Sequence, residues 1–222
     1  MVFVFRGPHT RETIREFLKK VDALTPHKIL LELPDDAEVR SALYRASTKG
    51  RMEEAEEVLA GGREVFSRYA PILEYGFHKG GVPCVPIDSP SLRGQMLETR
   101  IKMALTLKSE LDSESKARKL LELLEERSKI TTQRNNYMSK RVEDETELSK
   151  IIHEEPVVVA LIGTDHELSS KKILTPHEEL AQPLARDYPI NQAEQMLLSR
   201  RKKSEIIHFL KRKIESGELK EV

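Results

Sequence analysis

The sequence predicts an α/β protein: a mainly parallel central sheet flanked by helices, with a long α-helical hairpin insertion and a helical C-terminal extension. Three observations predict this fold class. Short apolar runs alternate with amphipathic segments over the first ninety residues. The run VVVALI at 157–162 is apolar at every position, as expected of a strand buried on both faces of a parallel sheet. Between these two regions, residues 91–153 have an almost continuous helical pattern.

The first elements have the size of one βαβ unit. VFVF at 2–5 is a β-branched and aromatic run, and residues 10–24 place apolar side chains at helical spacing behind Thr10, the predicted N-cap. ILLEL at 29–33 is the second predicted strand and ends at Pro34. The strands of such a unit are parallel, and its crossover is almost always right-handed.

The next elements are less regular. Two helical stretches are predicted near 35–60 and 62–78. A Gly pair then precedes VPCVPI at 82–87, the third strand, whose prolines indicate an irregular or edge position. The apolar run at 157–162 is the fourth strand.

Two long helical regions complete the chain. Within residues 91–153, DSES at 112–115 predicts a turn between antiparallel helices, and the dense mixed charge indicates a solvated arm or an oligomer contact. Residues 191–216 predict one or two amphipathic helices. We therefore predict an α/β domain at 1–175 that includes the insertion 91–153, followed by a helical extension at 176–222.

The composition limits the classes of partner. Lys plus Arg equals Asp plus Glu at 37 each, so no global basic field exists for nucleic acid or an acidic membrane surface. The basic cluster RRKK at 200–203 could bind nucleic acid locally, but an amphipathic packing helix at 205–210 is the simpler interpretation. No apolar run approaches the roughly 20 residues of a membrane span.

Two further features of the composition concern the environment. The single cysteine favours a reducing compartment, so a cytoplasmic protein is predicted. The charged fraction of 33% and the scarcity of Asn are typical of heat-adapted proteins. Two of the three Asn residues nevertheless lie side by side in RNNYM at 134–138, which indicates that an amide is required there.

Polar groups follow or end each predicted strand. His9 follows the first strand, Glu32 lies in the second, Asp88 ends the third, and Asp165 and His166 follow the fourth. The carboxyl ends of parallel strands share the sheet edge at which α/β folds bind ligands. Each residue has a structural alternative, such as a solvated His, an ion-paired Glu or a helix-starting Asp. The coincidence of four such strand ends favours one shared site.

The ordered motifs resemble the TraB/TIKI (PrgY, GumN-like) family, which is related to the erythromycin-esterase and ChaN-like fold. The resemblance rests on Gly7 to His9, Glu32 in LLELPDD, Arg134 to Met138 in QRNNYM, and Gly163 to His166. It covers residues 1–175. The first motif is one residue shorter than the fourth, and Gln133 stands where the family often has an acidic residue.

The resemblance implies a metal-dependent hydrolase, peptidase-like as in TIKI relatives, acting on a peptide or small-molecule substrate. His9 and His166 are then expected to bind a divalent ion such as Mn, Co or Zn, with Glu32 as a third ligand or the general base. Arg134 is expected to clamp a substrate carboxylate or a developing negative charge; alternatively, it is a structural partner of a neighbouring acid.

The remaining expectations concern substrate contacts and a second class of function. Asn135 or Asn136 is expected to orient substrate or a ligand, and Asp88 and Asp165 to contact substrate. His177 could also reach the cleft that is expected at the carboxyl ends of the strands. The alternative function is a binding module that captures a peptide, a small molecule or haem without turnover, although the scarcity of aromatic residues argues against haem. A homo-oligomer through the helical regions is the predicted assembly.

Overall fold

The computed structural model describes residues 1–59, 62–164, 166–169, 178–180 and 188–219. The strands are β1 (Val2–Arg6), β2 (Lys28–Pro34), β3 (Cys84–Asp88), β4 (Val158–Ile162) and β5 (Glu178–Glu179). The helices are α1 (Arg11–Leu24), α2 (Ala37–Lys49), α3 (Met52–Val58), α4 (Gly62–His78), α5 (Pro90–Lys108), α6 (Ser113–Lys150), α7 (Pro189–Leu198) and α8 (Lys203–Glu215). The predicted α/β fold, with its helical hairpin and helical extension, is confirmed.

The sheet is parallel throughout its described strands, in the order β3-β2-β4-β1-β5. The wholly apolar strand β4 lies at its centre and is buried at every position, because helices cover both faces of the sheet. The proline-flanked strand β3 lies at an edge, as its sequence predicts.

Strand β5 was not predicted, because two consecutive glutamates have little β propensity. It pairs with β1 at Phe5 and Arg6. The Arg6 side chain donates a 2.7 Å hydrogen bond from Nε to Glu179, and the backbone N–H of Leu180 donates to the Arg6 carbonyl at 2.8 Å. Long-range pairing with an open sheet edge therefore creates this strand.

Local caps set the helix boundaries. Thr10 accepts a hydrogen bond from the N–H of Thr13 at 3.3 Å and begins α1, as predicted. Asp36 caps α2 in the same way, through the N–H of Val39 at 2.9 Å. Gly50 ends α2 with a φ of 72°, a left-handed conformation that favours glycine. The stretch predicted as one helix at 35–60 is therefore two helices, α2 and α3.

The sheet has a core on each face. On one face, side chains of α1, α2 and α4 pack against the strands, with Phe17, Leu43 and Ile72 fully buried. On the other face, Met138 and Val142 of α6 pack against β1, β2 and β4. Fixed layers above and below hold the strand ends in place, and with them any site built on those ends.

Cys84, the single cysteine, begins β3 within the first of these cores and is fully buried. Its backbone N–H donates a 2.9 Å hydrogen bond to the Ser47 hydroxyl. Burial raises the pKa of its thiol to about 12.

The chain divides into two compact units. The first unit comprises residues 1–90 and 134–183 and contains the sheet; the second comprises 91–133 and 184–222. In the second unit, α5 and the first part of α6 bury Met103, Leu120 and Leu124 in a core shared with α7 and α8. The boundary predicted at residue 175 falls outside the described residues and stays a prediction.

The turn of the hairpin lies slightly before its predicted position. Asp112 accepts hydrogen bonds from the N–H groups of Glu114 and Ser115, both at 3.0 Å, so α6 begins at Ser113 rather than after Ser115. Within the described part of the chain, no helix is long and apolar enough to cross a membrane.

Candidate functional site

The carboxyl ends of β1, β2, β3 and β4 bring together most of the residues predicted from the strand ends. His9, Glu32, Asp88 and His166 lie in one cluster, and Arg134 of α6 joins it from the helix that covers the sheet. All five residues belong to the first compact unit. The parallel sheet produces this convergence because it places successive strand ends on the same edge.

Glu32 lies at the centre of the cluster and is only 8% exposed. Its carboxylate is 3.1 Å from Nε2 of His166 and 3.5 Å from Nε2 of His9. It also accepts a 2.8 Å hydrogen bond from Nη2 of Arg134 and one from the N–H of Gly163. Burial alone would raise the pKa of Glu32, but hydrogen bonds from His166 and His9, together with their charges, hold it well below its ordinary value.

A hydrogen bond at Nδ1 orients each imidazole. Nδ1 of His166 donates to Oδ1 of Asn135 at 2.6 Å, and Nδ1 of His9 is hydrogen-bonded to the Tyr69 hydroxyl. Both rings consequently present Nε2 to Glu32. This arrangement is typical of metal-binding histidines, in which a hydrogen bond at one ring nitrogen fixes the orientation of the other.

Arg134 connects the two buried carboxylates. Its guanidinium donates to Asp88 from Nε at 3.0 Å and from Nη2 at 2.6 Å, in addition to its contact with Glu32. Burial alone would lower the pKa of Arg134, but the hydrogen bonds and charges of Asp88 and Glu32 raise it. Within the described residues, one guanidinium therefore faces two buried carboxylates beside the imidazoles, an arrangement to which a proton or a cation can add a balancing positive charge.

Gly163 marks the point on which three of these side chains converge. A Cβ built on this residue would lie 3.0 Å from Oε2 of Glu32, 3.6 Å from Nε2 of His9 and 3.7 Å from Cδ2 of His166. A Cβ here would crowd the Glu32 carboxylate, which would have to shift slightly; the reason for glycine is this close approach, because Gly163 does not have a positive φ. Gly7 also allows a close approach, in this case to α1, since a Cβ there would lie 2.5 Å from the Thr13 side chain.

The other predicted site residues have different positions. Asn135 contacts His166, as described, whereas the adjacent Asn136 is exposed. Asp88 is fully buried against Arg134. Asp165 and His177 lie outside the described residues. The substrate contacts expected of Arg134, Asn135, Asn136, Asp88 and Asp165 stay predictions.

Tyr69 is a site residue that the sequence did not indicate. It lies on the buried face of α4 and reaches His9 across 60 residues of sequence. An aromatic residue on the apolar face of an amphipathic helix predicts core packing, and no local pattern distinguishes one that also contacts a histidine.

In this arrangement, Glu32 contacts both imidazoles directly. The described residues contain no group of three or more His, Cys, Asp or Glu side chains arranged to hold a metal ion. The donor set itself fits a divalent ion, because it offers two imidazoles and a carboxylate. Comparison with protein-family models, with curated proteins and with solved structures finds no match to the chain.

Proposed function

We propose that this chain is a metal-dependent hydrolase with peptidase-like action, and that the ordered motifs reflect membership of the TraB/TIKI family. The observation that carries the proposal is the orientation of His9 and His166. Both present Nε2 to one buried carboxylate while an outer partner holds Nδ1. A cytoplasmic location and a homo-oligomer remain part of the proposal.

His9, His166 and Glu32 are the residues that would hold the ion. A bound divalent cation would polarise a substrate carbonyl and make a neighbouring water more acidic. Among the described residues, Glu32 and Asp88 share the single guanidinium of Arg134, and this balance of two carboxylates to one guanidinium favours such a cation.

The protein groups then have distinct tasks. Asn135 fixes the His166 tautomer that leaves Nε2 without a proton when the ring is neutral. Arg134 and the N–H of Gly163 each bind one oxygen of Glu32, so the carboxylate cannot rotate. A fixed carboxylate beside the reacting atoms serves as a ligand or as the acceptor of a proton from water.

A binding module without turnover is the second candidate. It is favoured by the extent to which the cluster is satisfied internally: Glu32 already accepts hydrogen bonds on both oxygens, and Arg134 is buried between two acids. Such a module would capture a peptide or a small molecule near these strand ends, while the cluster itself only stabilises the fold.

Metal binding tests the proposal. Wild-type protein is dialysed against Mn, Co or Zn at about pH 7.5 and about pH 5.5, and the bound metal is measured by elemental analysis. We expect stoichiometric metal at the higher pH and less at the lower, because ligand imidazoles must be neutral. His166→Ala should lose the metal, and Gly163→Ala should weaken its binding by crowding Glu32.

His208→Ala is the matched control, because His208 is exposed on α8 and belongs to the second unit. It should retain wild-type metal binding. A mixture of synthetic peptides, incubated with and without the bound metal and read by mass spectrometry, then tests hydrolysis. Wild-type protein that binds none of the three metals at the higher pH would contradict the hydrolase and leave the binding module.

A further inference from the structure

A groove of about 720 Å³ lies between α1 and α4 in the first unit. Five cationic side chains and a single acidic one line it: Arg11, Arg15, Lys19, Arg68, Lys79 and Asp22. The whole chain has equal numbers of acidic and basic residues, so this excess of positive charge is local. A concave surface with one sign of charge concentrates ligands of the opposite sign.

Three of these cations are available to a ligand. Lys79 pairs with Asp22, and Arg68 pairs with Glu64. Arg11, Arg15 and Lys19 are exposed and form no ion pair with any residue that the structure describes. What distinguishes these three cations is that all of them belong to α1 and line the same groove.

The three cations form a regular row. They are spaced four residues apart on α1, so successive charges lie about 6 Å apart along the helix axis. In an extended peptide, alternate side chains share a face and recur about every 6.6 Å. Arginine also binds carboxylates through two parallel hydrogen bonds. The row therefore matches an extended peptide with an acidic residue at every second position.

Apolar side chains also line the groove. Ile14 and Leu18 of α1 and Pro71 of α4 line it beside the cations. A nucleic acid strand would need exposed aromatic faces on which its bases could stack. Tyr75 is the aromatic residue of this groove, and Nζ of Lys79 lies 5.6 Å from the centre of its ring. Apolar side chains of a peptide suit this surface better than bases do.

The groove also has a suitable position. Arg11 begins α1 two residues after His9. This end of the row therefore lies near the carboxyl ends of the strands, where the candidate site lies. We propose that the groove binds the acidic segment of an extended peptide substrate and directs it toward His9 and Glu32. This inference deepens the proposed peptidase-like function and rests on it, because the bound peptide is a substrate only if the chain is a hydrolase. Binding of the peptide itself does not depend on catalysis.

Equilibrium binding of labelled peptides tests the inference. Fluorescence anisotropy is measured with an alternating Glu-Val decapeptide, a Lys-Val decapeptide and a thymidine decanucleotide. The Glu-Val peptide should bind most tightly, and added salt should weaken it because the contacts are exposed ion pairs. A variant carrying Arg11→Gln, Arg15→Gln and Lys19→Gln should lose about tenfold in affinity.

A matched control removes three exposed cations elsewhere, through Lys108→Gln, Lys119→Gln and Lys129→Gln in the second unit. It should bind the Glu-Val peptide as the wild type does. Equal losses in both triple variants, no loss in the groove variant, or tighter binding of the decanucleotide at the same three cations would overturn the inference.

Hydrolysis measured in the same samples separates the two proposals. Binding of the acidic peptide without cleavage leaves the groove assignment standing and contradicts the enzymatic function. Cleavage of peptides with no preference for acidic ones does the reverse.

Discussion

Arg134 is the residue on which the charge balance of the candidate site depends. Its guanidinium is the cation bonded to both Glu32 and Asp88. We expect Arg134→Met to destabilise the fold by about 3–5 kcal/mol, because it leaves two buried carboxylates without their shared partner. The free energy of unfolding in urea measures this loss.

Arg118→Met is the control for that variant. Arg118 forms an exposed ion pair with Glu114 four residues earlier on α6, and such pairs contribute less than about 1 kcal/mol. A loss for Arg134→Met no larger than that of the control would show that the buried cluster contributes little to stability.

Sequence reasoning predicted the positions of these residues better than their contacts. His9, Glu32 and His166 could be placed on one edge because each follows or ends a predicted parallel strand. The sequence indicates an ion pair of Arg134 with a neighbouring acid only as an alternative to substrate contact, and it does not indicate that Arg134 joins two acids. The hydrogen bond between His9 and Tyr69 has no local signal, since it joins the loop after β1 to α4 across 60 residues of sequence.

At the scale of elements, replacing two helical glycines by alanine should have opposite effects on stability. A Cβ at Gly76 in α4 would lie 2.6 Å from the Val82 carbonyl and 3.0 Å from Cβ of Ser47, so the chain must shift to accept it. We expect Gly76→Ala to destabilise the fold by about 1–3 kcal/mol through overpacking. Chemical denaturation followed by circular dichroism gives the difference.

Gly94 in α5 is the matched glycine, because a Cβ there meets no described atom within 4 Å. Gly94→Ala should stabilise the protein by up to about 1 kcal/mol, since alanine has the higher helix propensity. If both substitutions stabilise, α4 lies less close to the chain that follows it than the structure indicates.

The elements that sequence patterns missed differ in whether a local signal was present. The break between α2 and α3 had a signal in Gly50, whose left-handed conformation ends the first helix. Strand β5 had none, because Glu178 and Glu179 become a strand only by pairing with β1. Apolar periodicity predicts β4 and α1 well because it reflects burial along a continuous segment.

At the scale of the whole molecule, the chain builds separate cores in its two units. The first unit packs both faces of the sheet, and the second packs α5 and α6 with α7 and α8. Residues 91–133 and 184–222 are far apart in sequence, and apolar periodicity within each segment cannot show that the two share a core.

Stability should decrease in acid. Burial would raise the pKa of both Glu32 and Glu145. Hydrogen bonds from His166 and His9 nevertheless lower the pKa of Glu32. Hydrogen bonds from Lys28 and Arg40 lower the pKa of Glu145 in the same way. A carboxylate with a lowered pKa stabilises the fold above its ordinary pKa of about 4.5, and this stability is lost as pH falls through the folded value.

Urea midpoints measured between about pH 7 and about pH 3 test this expectation. The midpoint should fall below about pH 4.5, and the fall should be smaller in Glu145→Gln, which removes one of the two titrating groups. A midpoint that stays constant down to about pH 3 would contradict the pairing of these buried carboxylates.

Chemical modification of Cys84 can measure local opening of the folded protein. A thiol reacts as the thiolate, and a fully buried thiol with a pKa of about 12 offers almost none of that form to a reagent in solution. Because the chain has no second cysteine, any modification by an alkylating reagent marks this one position in β3. The rate of modification in native buffer therefore measures how often the edge of the sheet separates from its core, without any engineered label.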